Sequence, residues 1–158
     1  MSGTPVTPQS VRYRERLWVP WWWWPLGFAP AAIIALEVNQ GVRSLPRWLP
    51  FVVLFVVAAG ALLWLGRIEI RVTGGTDGVE LWAGEAHLPV TVIARSADIP
   101  RSAKSAALGR QLDPAAYVVH RGWVGPLVLV VLDDVDDPTP YWLVSSRHPD
   151  RVLSALRS

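Results

Sequence analysis

The sequence predicts an α+β membrane protein, with a two-helix transmembrane hairpin followed by a small antiparallel β-sandwich or barrel that ends in a C-terminal α-helix. Three observations predict it. Two runs, Leu17–Leu36 and Trp48–Gly66, are 20 and 19 residues long and carry no charge. From Arg67 onward the apolar residues switch to a two-residue alternation. The last residues, from Pro149, return to a helical stripe.

The hairpin comes first, over residues 17–66. A hydrocarbon core about 30 Å thick needs about 20 residues of helix, and both runs meet that length. Between them "EVNQGVRSLPR", Glu37–Arg47, is polar and carries Gly41 and Pro46 as breakers. Two other readings meet objections. Helices at the core of a globular protein rarely run this long without a polar face. A cleaved signal peptide does not suit four indoles with Pro20 and Pro25, nor a second span after it. Arg12, Arg14 and Arg16 precede the first span, and Arg67 and Arg71 follow the second, against Arg43 and Arg47 between them. That excess places both termini on the cytoplasmic side of the inner (plasma) membrane. Residues 1–16 are then a basic cytoplasmic segment.

The run "RYRERLWVPWWWWPLGF" sets the membrane boundary. Indole is broad, apolar and carries a single N–H donor, so it favours the headgroup level. Trp18, Trp21, Trp22, Trp23 and Trp24 fall at one boundary with Trp64, and Trp48 falls at the other. Together with Arg12, Arg14 and Arg16 they form the expected membrane-interface set. Ala31 and Ala35 on one helix, and Ala58–Ala61 on the other, permit close helix approach. Neither span contains an ionisable residue, so neither offers a proton or ion pathway.

Residues 67–158 form the second domain. In "RIEIRVT" Ile68, Ile70 and Val72 alternate with Arg67, Glu69, Arg71 and Thr73, the pattern of a half-buried strand. "GGTDG" is a turn. "VELWA", "LPVTVIA", "AAYVVH", "PLVLVVLDD" and "PYWLVSS" are further strands, with one short helix inside "SADIPRSAKSAALGRQLDP". Pro149 suits a first helical position and Asp150 favours the positive end of a helix dipole. Val152, Leu153 and Leu156 then form the apolar stripe of a terminal helix over 149–157.

The segments "SAALGRQLDPAAYVVHRGWV" and "DDPTPYWLVSSRHPDRVLSAL" resemble an actinobacterial family of two-span membrane proteins of unknown function. The second half also resembles bacterial pleckstrin-homology-like domains. The resemblance implies a membrane location and a PH-like β domain, and it implies no activity.

Candidate chemistry is sparse. There is no cysteine, so disulfides and thiolate metal sites are excluded. Asp133, Asp134, Asp136 and Asp137 could hold a cation, but they also suit a solvated hairpin tip. His87, His120 and His148 are not at metal-ligand spacing. Ser145 and Ser146 lack a nucleophile-elbow pattern. The charge excess sits beside the apolar runs, and residues 67–158 carry ten basic and eleven acidic groups, which argues against nucleic acid. Arg121, Trp123, Tyr141, Trp142 and Arg147 are residue types that dominate interface hot spots, and they make a candidate partner surface. The expected role is a non-catalytic interaction or scaffold module with no cofactor, whose partners are the lipid bilayer and another membrane protein. The alternative is recognition of a lipid headgroup or isoprenoid by the Trp/Arg cluster.

Overall fold

A computed structural model describes residues 10–76 and 78–158. Most of the basic segment 1–16 and Asp77 of the "GGTDG" turn lie outside the described residues. The chain divides into two compact units. One holds the residues up to Leu17 together with Glu69–Ser158, and the other is Trp18–Ile68.

The first unit is built from two four-stranded sheets. β1 (Ser10–Arg16), β2 (Glu69–Gly75), β3 (Gly78–Ala83) and β4 (Ala86–Pro89) form an antiparallel sheet in that order. β5 (Ile93–Ile99), β7 (Leu127–Leu132), β8 (Tyr141–Ser145) and β6 (Tyr117–Val119) form the other, again in that order. β6 runs parallel to β8, with Tyr117 opposite Trp142. The expectation of a purely antiparallel sandwich is thereby corrected. β6 and β8 are joined through β7 rather than by a hairpin, so a parallel pairing is sterically open to them.

Within the basic segment, residues 10–16 form strand β1, where Arg12, Arg14 and Arg16 alternate with Tyr13, Glu15 and Leu17. Glu15 and Leu17 are buried. Arg14 grips Glu69 through two nitrogen atoms, at 2.8 and 2.9 Å, and Arg71 reaches the same carboxylate at 3.1 Å. The outer row of this sheet crosses all four strands in register, Arg14–Arg71–Trp82–His87. The Arg71 guanidinium lies 5.5 Å from the Trp82 ring centre, and the His87 ring stacks on the same indole at 4.7 Å. The tight returns before and after β3 use Gly78 (φ 110°) and Gly84 (φ 68°), conformations that a Cβ disfavours.

α3 (Lys104–Leu108) covers part of the second sheet, where Ala107 packs with Leu127 and Leu143. α4 (Pro149–Arg157) buries Val152, Leu153, Ala155 and Leu156, and it packs against strands of both sheets. The core therefore runs from Ile70, Val72 and Leu81, past Val152, to Val128, Val130 and Val144. Thr73, outward by simple alternation, is buried, and its hydroxyl has no hydrogen-bond partner.

The start of α4 is fastened to β1 through one buried side chain. The Glu15 carboxylate accepts from the Ser146 hydroxyl at 2.7 Å, the Arg147 amide at 2.8 Å and the Tyr13 hydroxyl at 2.9 Å. Ser146 Oγ in turn accepts from the His148 amide at 3.2 Å. Burial, and then the neighbouring Glu15, hold the Tyr13 hydroxyl protonated well above its ordinary range, while Arg151 pulls the other way.

The second unit is a helical hairpin of α1 (Trp23–Gly41) and α2 (Leu49–Leu65). It corrects the transmembrane hairpin over 17–36 and 48–66, and with it the multi-pass inner-membrane location with both termini cytoplasmic. Among the described residues no helix is long and apolar enough to cross a membrane. α2 has 17 residues, a length of about 25 Å against a hydrocarbon core of about 30 Å. α1 has 19 residues, but it begins only at Trp23, because Trp21 and Trp22 lie in the turn before it. It contains Gly27 and Pro30 and ends in Glu37, Asn39 and Gln40, so its mean hydropathy falls short.

Two outcomes test the Glu15 fastening. Glu15→Ala leaves the Ser146 hydroxyl and the Arg147 amide without their acceptor, and a loss of roughly 2–3 kcal/mol in urea denaturation is expected. An unchanged midpoint would refute the assignment. An unfolded tyrosine ionises near pH 10, whereas folded Tyr13 keeps its proton to higher pH. The native state then binds more protons, so stability is complete below about pH 10 and is lost as pH rises further. Tyr13→Phe should flatten that decline relative to the wild-type chain.

Candidate functional site

The hairpin is the part of the molecule whose surface chemistry is least satisfied. Its two helices meet along a stripe of small residues on α1. Ala31 and Ala35 are buried, and a Cβ added at Gly27 would stand 3.0 Å from Leu62 Cδ1. From α2, Leu62 fills that groove, and Phe55 meets Phe28 with ring centres 5.2 Å apart. Spacings of four residues on α1 and seven on α2 place these contacts on one face of each helix. Pro25 sits in the first turn, where no intrahelical donor is required, while Pro30 is interior and removes one ladder bond. Asn39 Nδ2 donates to the Arg47 carbonyl at 2.9 Å and ties the connection across its ends.

The outward faces carry little polarity beyond Glu37 and Gln40 at the end of α1. All the exposed large apolar side chains among the described residues, save Val11 and Val135, belong to this unit. On α2 they include Val53, Val56, Val57 and Trp64, the last 68% exposed. Gly60 and Ala61 are exposed on the same side, and a Cβ at Gly60 would meet nothing within 4 Å. On α1 they include Leu26, Ile33, Ile34 and Leu36. Contiguous exposed apolar surface of this kind marks an interaction site.

The predicted interface residues divide between the units. Trp18, Trp21, Trp22, Trp48 and Trp64 are exposed on the hairpin unit, Trp21 at 79%. Trp23 and Trp24 are half-buried, with Trp24 against Phe28 at 5.8 Å and Trp23 against Trp22 at 5.7 Å. Arg12, Arg14 and Arg16 belong to β1 in the other unit. The candidate partner surface also divides. Trp142 is buried and packs on Tyr117 at 4.5 Å. The Tyr141 hydroxyl accepts from the Asp113 amide at 2.7 Å and donates to the Gln111 carbonyl at 3.2 Å, a loop-fixing role. The Arg147 backbone belongs to the Glu15 fastening. Arg121 and Trp123 do come together, with the guanidinium 5.8 Å from the indole centre.

The aspartates at the β7–β8 turn serve local geometry. Asp134 Oδ1 accepts from the Asp136 amide, and Asp137 Oδ1 from the Thr139 amide. The Thr139 hydrogen bond holds the Asp137 carboxyl below its ordinary value. Among the described residues no three His, Cys, Asp or Glu side chains converge on a cation position. Ser145 and Ser146 are fully buried, Ser145 accepting from the Arg121 amide at 2.9 Å. Neither hydroxyl is open to a substrate.

Sequence reasoning missed Glu15, Tyr13 and the small-residue role of Gly27. The alternation of Arg12, Arg14 and Arg16 with Tyr13, Glu15 and Leu17 was a strand signal. Gly27, Ala31 and Ala35 at four-residue spacing were the signal for the groove.

The hairpin packing makes its own prediction. Ala35→Leu inserts three carbons into a fully buried contact, and a loss of roughly 1–3 kcal/mol is expected from overpacking. Thermal unfolding followed by helix circular dichroism measures it, and an unaltered transition would show the groove to be loose.

No curated protein and no solved structure matches the chain. Over residues 12–156, from within β1 to the last turn of α4, the sequence matches the family described as protein of unknown function (DUF3093). That span takes in both the Glu15 fastening and the whole apolar hairpin, and the chain belongs to this family.

Proposed function

We propose that the chain is a non-catalytic interaction module whose binding element is the α1–α2 hairpin, seated among apolar helices of another polypeptide. One observation carries the reading. The outward face of α2 is apolar along its whole length and that of α1 as far as Leu36, while the one charge within either helix, Glu37, lies near the end of α1. Water solvates such a surface poorly, and burying it contributes about 25 cal/mol per Å². The occupant must therefore be apolar over the length of the helices.

The face formed by Val53, Val57, Gly60, Ala61 and Trp64 suits a helix in particular. Residues at intervals of three and four form a ridge-and-groove surface. Small side chains at its middle allow a neighbouring backbone to approach, and the indole at its end supplies a broad anchor.

Gly60→Leu separates docking from folding, because position 60 faces open space and its side chain meets nothing in the hairpin. Native mass spectrometry of the full-length chain, extracted gently from its source, should show a discrete polypeptide mass increment in the wild type. Gly60→Leu should lose it at unchanged helix content. A bare chain in both cases would overturn the proposal. A discrete lipid mass in place of a polypeptide would replace it with headgroup or isoprenoid recognition at the exposed indoles.

A further inference from the structure

The turn before α3 (residues 100–104) and the loop after β6 (residues 120–125) hold four nitrogen-bearing side chains and no carboxylate of their own. Arg101 lies in the turn before α3 and extends its aliphatic stem past Gly125, where an added Cβ would stand 3.4 Å from Arg101 Cδ. Lys104, at the start of α3, donates its ammonium to the Arg121 carbonyl at 3.2 Å and also to the Val124 carbonyl. It therefore sits inside the 121–124 turn rather than in solvent. Arg121 donates Nη1 to the His120 carbonyl at 3.1 Å, and the Trp123 ring holds its guanidinium in place. None of Arg101, Lys104, His120 and Arg121 has an acidic partner among the described residues.

The electrostatic consequence is visible in the titrating members. The Lys104 ammonium is pushed below its ordinary value by burial and then by Arg101. The His120 imidazole is pushed down by burial, then by Lys104 and Arg121. Lys104 thus feels Arg101, and His120 feels Lys104 and Arg121, as nearby positive charge. Two enclosed nitrogen atoms, His120 Nε2 and Arg121 Nε, have no hydrogen-bond partner. An enclosed nitrogen left unmet is costly unless a ligand or water meets it.

We infer that the loops 100–104 and 120–125 form an anion site that takes a phosphate-class dianion, with Arg101 and Arg121 as its charge-bearing ligands and His120 at its edge. The guanidinium fork matches phosphate oxygens, and the Trp123 contact limits its motion before the ligand arrives. Lys104 is a positioning residue, since two of its three N–H donors go to the carbonyls that shape the turn. A free phosphate and a phosphorylated lipid headgroup present the same oxygens, so the chemistry is shared and the source is decided by experiment.

The test follows the three imidazoles of the full-length chain by NMR. His87 is stacked on Trp82, and His148 precedes α4, so both are internal controls. An anion beside His120 stabilises its imidazolium and should raise its titration midpoint by about half a pH unit. Millimolar inorganic phosphate should do this at His120 alone. Arg101→Gln and Arg121→Gln should each weaken the response at unchanged His87 and His148 signals. A response to phosphatidylcholine vesicles containing phosphatidic acid, and not to pure phosphatidylcholine or inorganic phosphate, would assign the anion to a lipid headgroup. No movement of His120 under any of these conditions, or equal movement of all three histidines, would overturn the site.

Discussion

The β unit depends on a carboxylate that comes from its first strand and serves its last loop. Glu15 is buried, and it accepts hydrogen bonds from Tyr13, Ser146 and the Arg147 amide. Ser146 passes the constraint on by accepting from the His148 amide, immediately before α4 begins at Pro149. Placing that helix start places the stripe of Val152, Leu153 and Leu156 between the two sheets. A buried carboxyl without partners would cost several kcal/mol. The same group with its acceptors filled closes the unit from both chain ends, so one side chain sets the positions of β1 and α4 together.

The two units handle their surfaces in opposite ways. On the outer face of the first sheet the Arg14–Arg71–Trp82–His87 row meets its own needs. Glu69 pairs with both arginines, and the Trp82 indole is engaged by Arg71 and His87. Such a platform has little left to offer a ligand. The hairpin buries the stripe where α1 meets α2 and leaves large apolar side chains exposed along the outward faces of both helices. The loops around α3 are a third case, where positive groups are arranged with care and not neutralised. The hairpin asks for an apolar occupant and the loops ask for an anion, and both requests come from local physical chemistry.

Much of this was legible in the residues, though not all for the reasons first given. The two-residue alternation through Ile70 and Val72 reads directly as a strand face, and both side chains are fully buried. Thr73 departs from the alternation: it is buried beside Val72 near the end of β2. The charge-free runs read as helices, but charge counts do not locate a helix start. α1 begins only after the turn at Trp21 and Trp22, and α2 is shorter than the run that contains it. Those few residues separate an apolar helix from one that spans a bilayer, and hydropathy summed over a run does not resolve them. Trp142 and Tyr141 have the composition of a binding surface, yet an aromatic side chain serves equally well as core.

By itself the sequence determined what depends on near neighbours. It set the helical and extended periods, the glycine turns around β3, the proline start of α4 and the confinement of charge to the ends of the hairpin. Only the tertiary structure decided what depends on distant partners. Ser146 lies 131 residues from Glu15, and Lys104 lies 17 residues from the carbonyl that it holds. Whether arginine is a membrane flank or a strand face, and whether a carboxylate is a solvated charge or a buried acceptor, is set by which groups the fold brings within about 3 Å. Periodicity carries no information about that distance, and the chemistry of this protein is decided there.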